Sequence, residues 1–252
     1  MIDMRNIYFD DNFNKALSIF NSKLTKKPTE SSECDWSLFK ESFLEFTQYK
    51  CPICEDRVKR YDDIDHFRPK GEKKILLYPF LKCCYQNYMV MCSECNRFYK
   101  KAQFPLYDEF KADKVEDIIH EKPLLVNPTH DDIFELFELE FKIINKTNKG
   151  ALVIKPKDGL DHYQQQKAMT TIKLYGIGSC DENNLIDNCR IDLLELHYEQ
   201  FYQLAIVFKK YFKEKSNNRN KIKIKKMLDN KPKLKKYGFY QFIIKNQFTL
   251  AI

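Results

Sequence analysis

"QYKCPICEDRVKRYDDIDHFRPK" occupies residues 48–70. Two cysteines stand two residues apart, and an Asp-His pair follows eleven residues after the second. The Cys-x-x-Cys spacing returns in "CCYQNYMVMCSECNRFYKKAQFPL", residues 83–106. Cys51, Cys54, Cys92 and Cys95 thus offer four soft thiolates, the donor set of a tetrahedral Zn²⁺ with Zn–S near ~2.3 Å. Thirty-seven residues separate the two pairs. The intervening segment is therefore a module of its own, and a metal would staple its base where the local apolar core is thin. A redox role for either pair lacks any thioredoxin-like surroundings.

The totals fit that reading. A chain of 252 residues makes one large domain or two small ones, with length enough to bury a core. No apolar run approaches the ~18 residues a membrane helix needs. The opening "MIDMRNIYFDD" has no apolar signal region, which predicts a cytoplasmic protein. Nine cysteines is an odd number, and four of them form the two pairs. In a reducing compartment this favours metal binding over disulfides. Cys83 and Cys84 are either spare ligands or core residues, and Cys34, Cys180 and Cys189 read as small apolar positions.

Charge is uneven. Residues 209–236 carry twelve Lys and one Arg against Glu214 and Asp229, a net of +11 in a chain of +7, so the rest sums to −4. A block of that density suits a polyanion, an acidic partner or a solvated helical face.

Outside the motif the chain reads mostly helical. Phe13, Ala16, Leu17, Phe20 and Leu24 fall on one face of a helix over 11–25. "DWSLFKESFLEFTQ", 35–48, predicts a second helix capped by Asp35, so that 1–47 forms a helical hairpin. Trp36 is expected in the core, or on a face that docks a partner. "PLLVNP" and "GALVIKP" predict extended stretches between 123 and 155. A helix over 161–176 should end at Gly176. Helices are also expected over 183–212, in "NNRNKIKIKKMLDNK" and in "YGFYQFIIKNQF". His120, His130, His162 and His197 have no motif around them and read as surface or capped. The division expected is 1–47, then 48–110, then an α-rich 111–252 holding the basic block.

Within 48–106 the order is Cys-x-x-Cys, Asp65-His66, Asn87, Cys-x-x-Cys-Asn96, Lys100. That order resembles the HNH nuclease superfamily, whose ββα-metal motif runs strand, turn, strand, helix. "DHFRPK" and "CNRFYKKAQFPL" are its specific parts. Downstream, "LLVNPTHDD", "KAMTTIKLYGI" and "NNLIDNCR" resemble HNH effectors of the Septu and retron-associated anti-phage type, which act beside an ATPase. The fold class expected is therefore α+β, mostly α: a small ββα-metal HNH core with a four-cysteine zinc site, embedded in a helical frame.

The resemblance implies roles. Asp65 and Asn96 would hold one catalytic Mg²⁺ or Mn²⁺, distinct from the zinc. His66 would be the general base, and Asn87 would brace its loop through backbone bonds. Lys100, one turn after Asn96, is expected to meet a phosphate, and Arg68 and Lys70 to grip the DNA backbone as point charges. Strand alternation turns Asp65 and His66 apart, so no bond between their side chains is expected. Asn96 stands at the position of the His that gives the superfamily its third letter, and many members carry Asn there. An amide oxygen suits hard cations better than transition metals. Asp63 is either an acid supporting the site or simply solvated. The expected function is a DNA endonuclease of a phage-defence system with an ATPase partner. The alternatives are a zinc-stapled nucleic-acid-binding module without turnover and a stand-alone restriction or homing endonuclease.

Overall fold

The computed structural model describes residues 1–26, 34–71, 77–144, 149–178, 189–199 and 202. Its order begins with α1 (Asp11–Lys26) and α2 (Lys40–Thr47). The motif follows as β1 (Ile64–His66), β2 (Tyr88–Val90) and a π-helix (Glu94–Lys100). A short α3 (Ile133–Leu136), a hairpin of β3 (Phe137–Ile144) and β4 (Lys149–Pro156), and α4 (His162–Tyr175) complete it. Residues 191–199 are helical. The fold class is α+β.

The apolar stripe of α1 does what its period predicts. Phe13, Ala16 and Phe20 are buried, and Leu17 and Leu24 pack against the same cluster. Phe13 and Phe20 each meet Phe39 at a ring separation of 5.1 Å. The expected helix over 35–48 splits into a 3₁₀ turn (Trp36–Phe39) followed by α2. Asp35 makes no capping bond. It accepts instead from Lys23 of α1 at 2.7 Å and from the Ser37 hydroxyl.

β1 and β2 pair antiparallel, with Ile64 opposite Val90, Asp65 opposite Met89 and His66 opposite Tyr88. All six strand residues are buried. In the larger hairpin Phe137 faces Pro156 and Ile144 faces Lys149. β4 is covered on both sides: Leu152 and Ile154 join the main core, while Ala151 and Val153 meet Leu194. Burial on both faces accounts for the unbroken apolar run "ALVI" where an alternating pattern would mark a half-solvated strand. "PLLVNP" is not extended beyond one bridge between Leu106 and Pro123. α4 starts with a full capping box between Asp161 and Gln164, and Gly176 ends it with φ 63°.

Three cysteines outside the quartet depart from expectation. Cys34 and Cys83 form a disulfide with Cα atoms 5.4 Å apart, so neither is a spare ligand or a plain apolar filler. Cys189 is disulfide-bonded as well. The basic block 209–236, Cys180, and the helices expected beyond 202 lie outside the described residues. No helix among the described residues is long and apolar enough to cross a membrane.

Candidate metal and nuclease site

The four cysteines of the two Cys-x-x-Cys pairs converge. The sulfurs of Cys51, Cys54, Cys92 and Cys95 lie within 4.8 Å of one another, and all four residues are buried. Local chain geometry explains how. The first pair sits in a tight turn closed by Glu55 N–H to Cys51 O (2.8 Å) and Cys51 N–H to Asp56 O (2.8 Å), with Glu55 left-handed at φ 61°. In the second, the Cys95 amide donates to Cys92 Sγ at 3.5 Å as the π-helix begins. Asp62, 1% exposed, joins the two halves by accepting from Ser93 Oγ.

The donor set fits a soft divalent cation. Burial pushes the Cys51 and Cys95 thiols up. Burial also opposes ionisation of Cys54, but the three surrounding thiols hydrogen-bond to it and hold it well below the usual range. One thiolate propped by three thiols is what a crowded quartet does by itself, whereas a tetrahedral cation would let all four ionise. Arg190 backs the cluster, its Nη1 donating to Cys95 Sγ at 3.4 Å and its Nη2 pairing with Glu94. Burial works against that charge, yet Cys54, Cys95 and Glu94 outweigh it. Sequence reasoning missed Arg190 and Asp62, since the sequence pattern marks neither as a partner of the thiols.

At the other end of the same module a cleft of about 630 Å³ opens. Asp65, His66, Asn96 and Lys70 line it, together with Trp36 and Asp63. Asp65 and His66 are 7% and 5% exposed. His66 Nε2 lies 3.1 Å from the Lys82 carbonyl oxygen, which also accepts from Tyr88 Oη at 2.8 Å. A carbonyl only accepts, so Nε2 carries the proton and Nδ1 is the acceptor of the neutral ring. Trp36 and Tyr88 meet the imidazole edge-on at 5.4 and 5.1 Å. Burial lowers the His66 pKa below the ordinary value and favours that neutral ring.

Asn87 lies behind this loop. Its Oδ1 accepts from the Arg68 amide (2.8 Å) and its Nδ2 donates to the Arg68 carbonyl (2.9 Å). Its own carbonyl takes the Phe67 amide at 2.8 Å.

Two of the three expected phosphate contacts are turned elsewhere. Lys100 is 0% exposed. Its ammonium lies 2.8 Å from Asp65 Oδ2 and donates to the His66 carbonyl at 2.9 Å, so it faces inward under β1. Arg68 does not line the cleft. Its Nε donates to Glu121 at 2.6 Å and its guanidinium lies over Phe104, because Glu121, buried with Tyr78 Oη on its other oxygen, demands a cation. Lys70 does remain on the cleft, 4.4 Å over the Trp36 ring. Trp36 packs half-buried against the edge of the core, as expected, and also forms a wall of the cleft. Arg97 and Lys101, which sequence reasoning passed over, also line it. Asp63 is exposed and ion-paired to Arg97.

Of the other histidines, His162 shares a hydrogen bond with Tyr107 Oη at 2.8 Å, and His130 contacts Thr129 and Asn127. His197 corrects the surface reading: it is 6% exposed, and burial pushes its pKa down to about 4.

Asp65 also bears on a second cation. Its buried Oδ2 carries the Lys100 ammonium at 2.8 Å, while the residue itself lines the cleft beside Asn96. A carboxylate beside an amide oxygen at the edge of a cleft is a hard-donor set, distinct in chemistry from the thiol quartet.

No family model matches the chain, and no solved structure matches it. A curated protein of similar sequence is the Septu protein PtuB of Bacillus mycoides (strain KBAB4), 34% identical over 169 residues. The match covers 62% of this chain and 51% of that protein, so the chain spans about half the length of the curated relative it matches.

Proposed function

We propose that the chain is a metal-dependent endonuclease of the HNH type, hydrolysing DNA phosphodiester bonds as the effector of a Septu-like anti-phage system in the cytoplasm, beside an ATPase partner. The observation that carries this reading is one cleft lined by Asp65, His66 and Asn96 at the open end of a strand–strand–helix unit. The buried cysteine quartet at its base supports a structural zinc. Similarity to a Septu protein supports the defence context. In this reading 48–110 is the catalytic core, 1–47 supplies a wall of its cleft through Trp36, and 111–252 frames it.

The chemistry follows from the side chains. His66 Nδ1 takes a proton from the attacking water, while Nε2–H stays bonded to the Lys82 carbonyl and fixes the ring plane. Asn87 holds the backbone on which that ring stands. Asp65 and Asn96 would hold Mg²⁺ or Mn²⁺, which supplies charge neutralisation at the phosphoryl oxygens and for the departing 3′ oxygen. Lys70 meets a strand phosphate at the cleft lip.

The test is plasmid cleavage by the purified chain with Mg²⁺ or Mn²⁺, with and without any co-purifying partner, beside His66→Ala. Nicking or linearisation that needs the metal and disappears in His66→Ala supports the nuclease. DNA binding with zinc present and no cutting under any condition would replace it with a binding module. Cleavage at one defined sequence without a partner would favour a stand-alone endonuclease.

A further inference from the structure

Lys100 is a buried charge with two partners, and both partners are the residues proposed to do the chemistry. Its ammonium reaches the Asp65 carboxylate at 2.8 Å and the His66 backbone carbonyl at 2.9 Å. The side chain is 1% exposed, and that of Asp65 is 10% exposed. It comes from the last position of the π-helix, thirty-four residues from His66. An ammonium sealed from water costs several kcal/mol in desolvation, so it persists only where it is paired and hydrogen-bonded. A surface-seeking residue placed here ties the helix that carries Asn96 to the strand that carries Asp65 and His66. The contact fixes Asp65 Oδ2 toward the protein interior and pins the backbone carbonyl of His66.

We propose that Lys100 is a positioning residue: it sets Asp65 and His66 relative to Asn96 and does not touch the nucleic acid. The proposal rests on the nuclease reading of the cleft. It accounts for how a two-strand sheet of three-residue strands can hold two reacting groups steady, since such short strands have little rigidity of their own. One buried ammonium replaces what a longer ladder would supply.

The experiment separates positioning from phosphate contact. Binding of a fluorescein-labelled DNA duplex is measured by anisotropy in EDTA, and cleavage is measured with Mg²⁺ across substrate concentrations. Zinc content is determined on each sample. Lys100→Met should bind DNA within twofold of the parent, keep its KM, and lose about 100-fold in kcat, the scale of an ångström-level misplacement. Lys100→Arg, which keeps a charged donor, should recover at least about tenfold over Lys100→Met. Weakened DNA binding with kcat retained would overturn the proposal in favour of a phosphate contact. Equal activity of Lys100→Met and the parent would overturn it outright.

If Lys100→Met fails to retain zinc, the comparison moves to Asp65→Asn with and without Lys100→Met, where both buried charges leave together. Equal DNA affinity of that pair upholds the proposal, and a loss on removing the lysine overturns it. An inactive parent chain strikes the nuclease reading instead, and the DNA affinities still decide whether Lys100 meets DNA.

Discussion

Asn87 shows how a single amide can hold the backbone next to an imidazole it never touches. It offers one acceptor and one donor to the two backbone groups of Arg68, and its own carbonyl holds Phe67. At 4% exposure no water can substitute. Asn87→Asp keeps the acceptor but turns a second oxygen on the Arg68 carbonyl, leaving a buried acceptor unpaired at a cost of about 1–3 kcal/mol. The expected result is a lower urea midpoint at unchanged m-value, the shift being that loss divided by m, with cleavage reduced if the loop under His66 gives way. A variant as stable as the parent would remove Asn87 from this role. Trp36 allows a second measurement at the same scale. It is the only tryptophan in the chain and it lines the cleft against His66 and Lys70. Adding a short DNA duplex in EDTA should therefore change the intrinsic fluorescence, and an unchanged spectrum at saturating DNA would place the substrate elsewhere.

At the scale of elements, the segment around Trp36 is held by more than packing. The Cys34–Cys83 disulfide ties the entry to the 3₁₀ turn to the residue next to Lys82, whose carbonyl orients His66. It closes a separation of 49 residues, worth about 4 kcal/mol in the loop-entropy picture. Oxidised protein should melt higher than Cys34→Ser, and a phosphine reductant should erase that difference. Equal melting temperatures under oxidising conditions would show that the link contributes nothing. This pairing was not legible in the sequence, where Cys34 and Cys83 carry no spacing signal. What was legible is local: the paired Cys-x-x-Cys, the order of Asp65, His66, Asn87 and Asn96, the stripe of α1, and the Asp161 and Gly176 ends of α4. Each is fixed by residues within a few turns or by one repeated spacing. What escaped depends on remote partners. Lys100 is buried because His66 and Asp65 lie over it, Arg68 turns away because Glu121 is fifty-three residues downstream, and Asp35 leaves its helix for Lys23.

At the scale of the whole molecule, the buried thiol quartet and the cleft offer two different donor sets. Cys51 and Cys54 belong to the chain before β1, and Cys92 and Cys95 lead into the π-helix. A zinc among them would fix the two ends of the module to each other, with Arg190 reaching in from just before the helix at 191–199. Removing it would leave thiols that burial keeps largely un-ionised at Cys51 and Cys95, with the Lys100 contacts and the Ser93–Asp62 bond left to hold Asn96 beside β1. Structural zinc sites supply on the order of 10 kcal/mol to the fold around them, more than a two-stranded sheet can replace. The proposed hard-donor site in the cleft differs, since Asp65 and Asn96 alone would offer few ligands and would leave an ion held there exchangeable. Two treatments should therefore diverge. Brief EDTA should stop cleavage, retain one zinc per chain, and be reversed by Mg²⁺. A mercurial that displaces thiolate ligands should release that zinc, collapse the near-UV circular dichroism, and stop cleavage in a way Mg²⁺ does not restore. Phe13, Phe20 and Phe39 hold α1 and the following turn through ring contacts of their own, so much of the far-UV helical signal should survive. Full activity after zinc release would mean that the quartet is not what holds the cleft together.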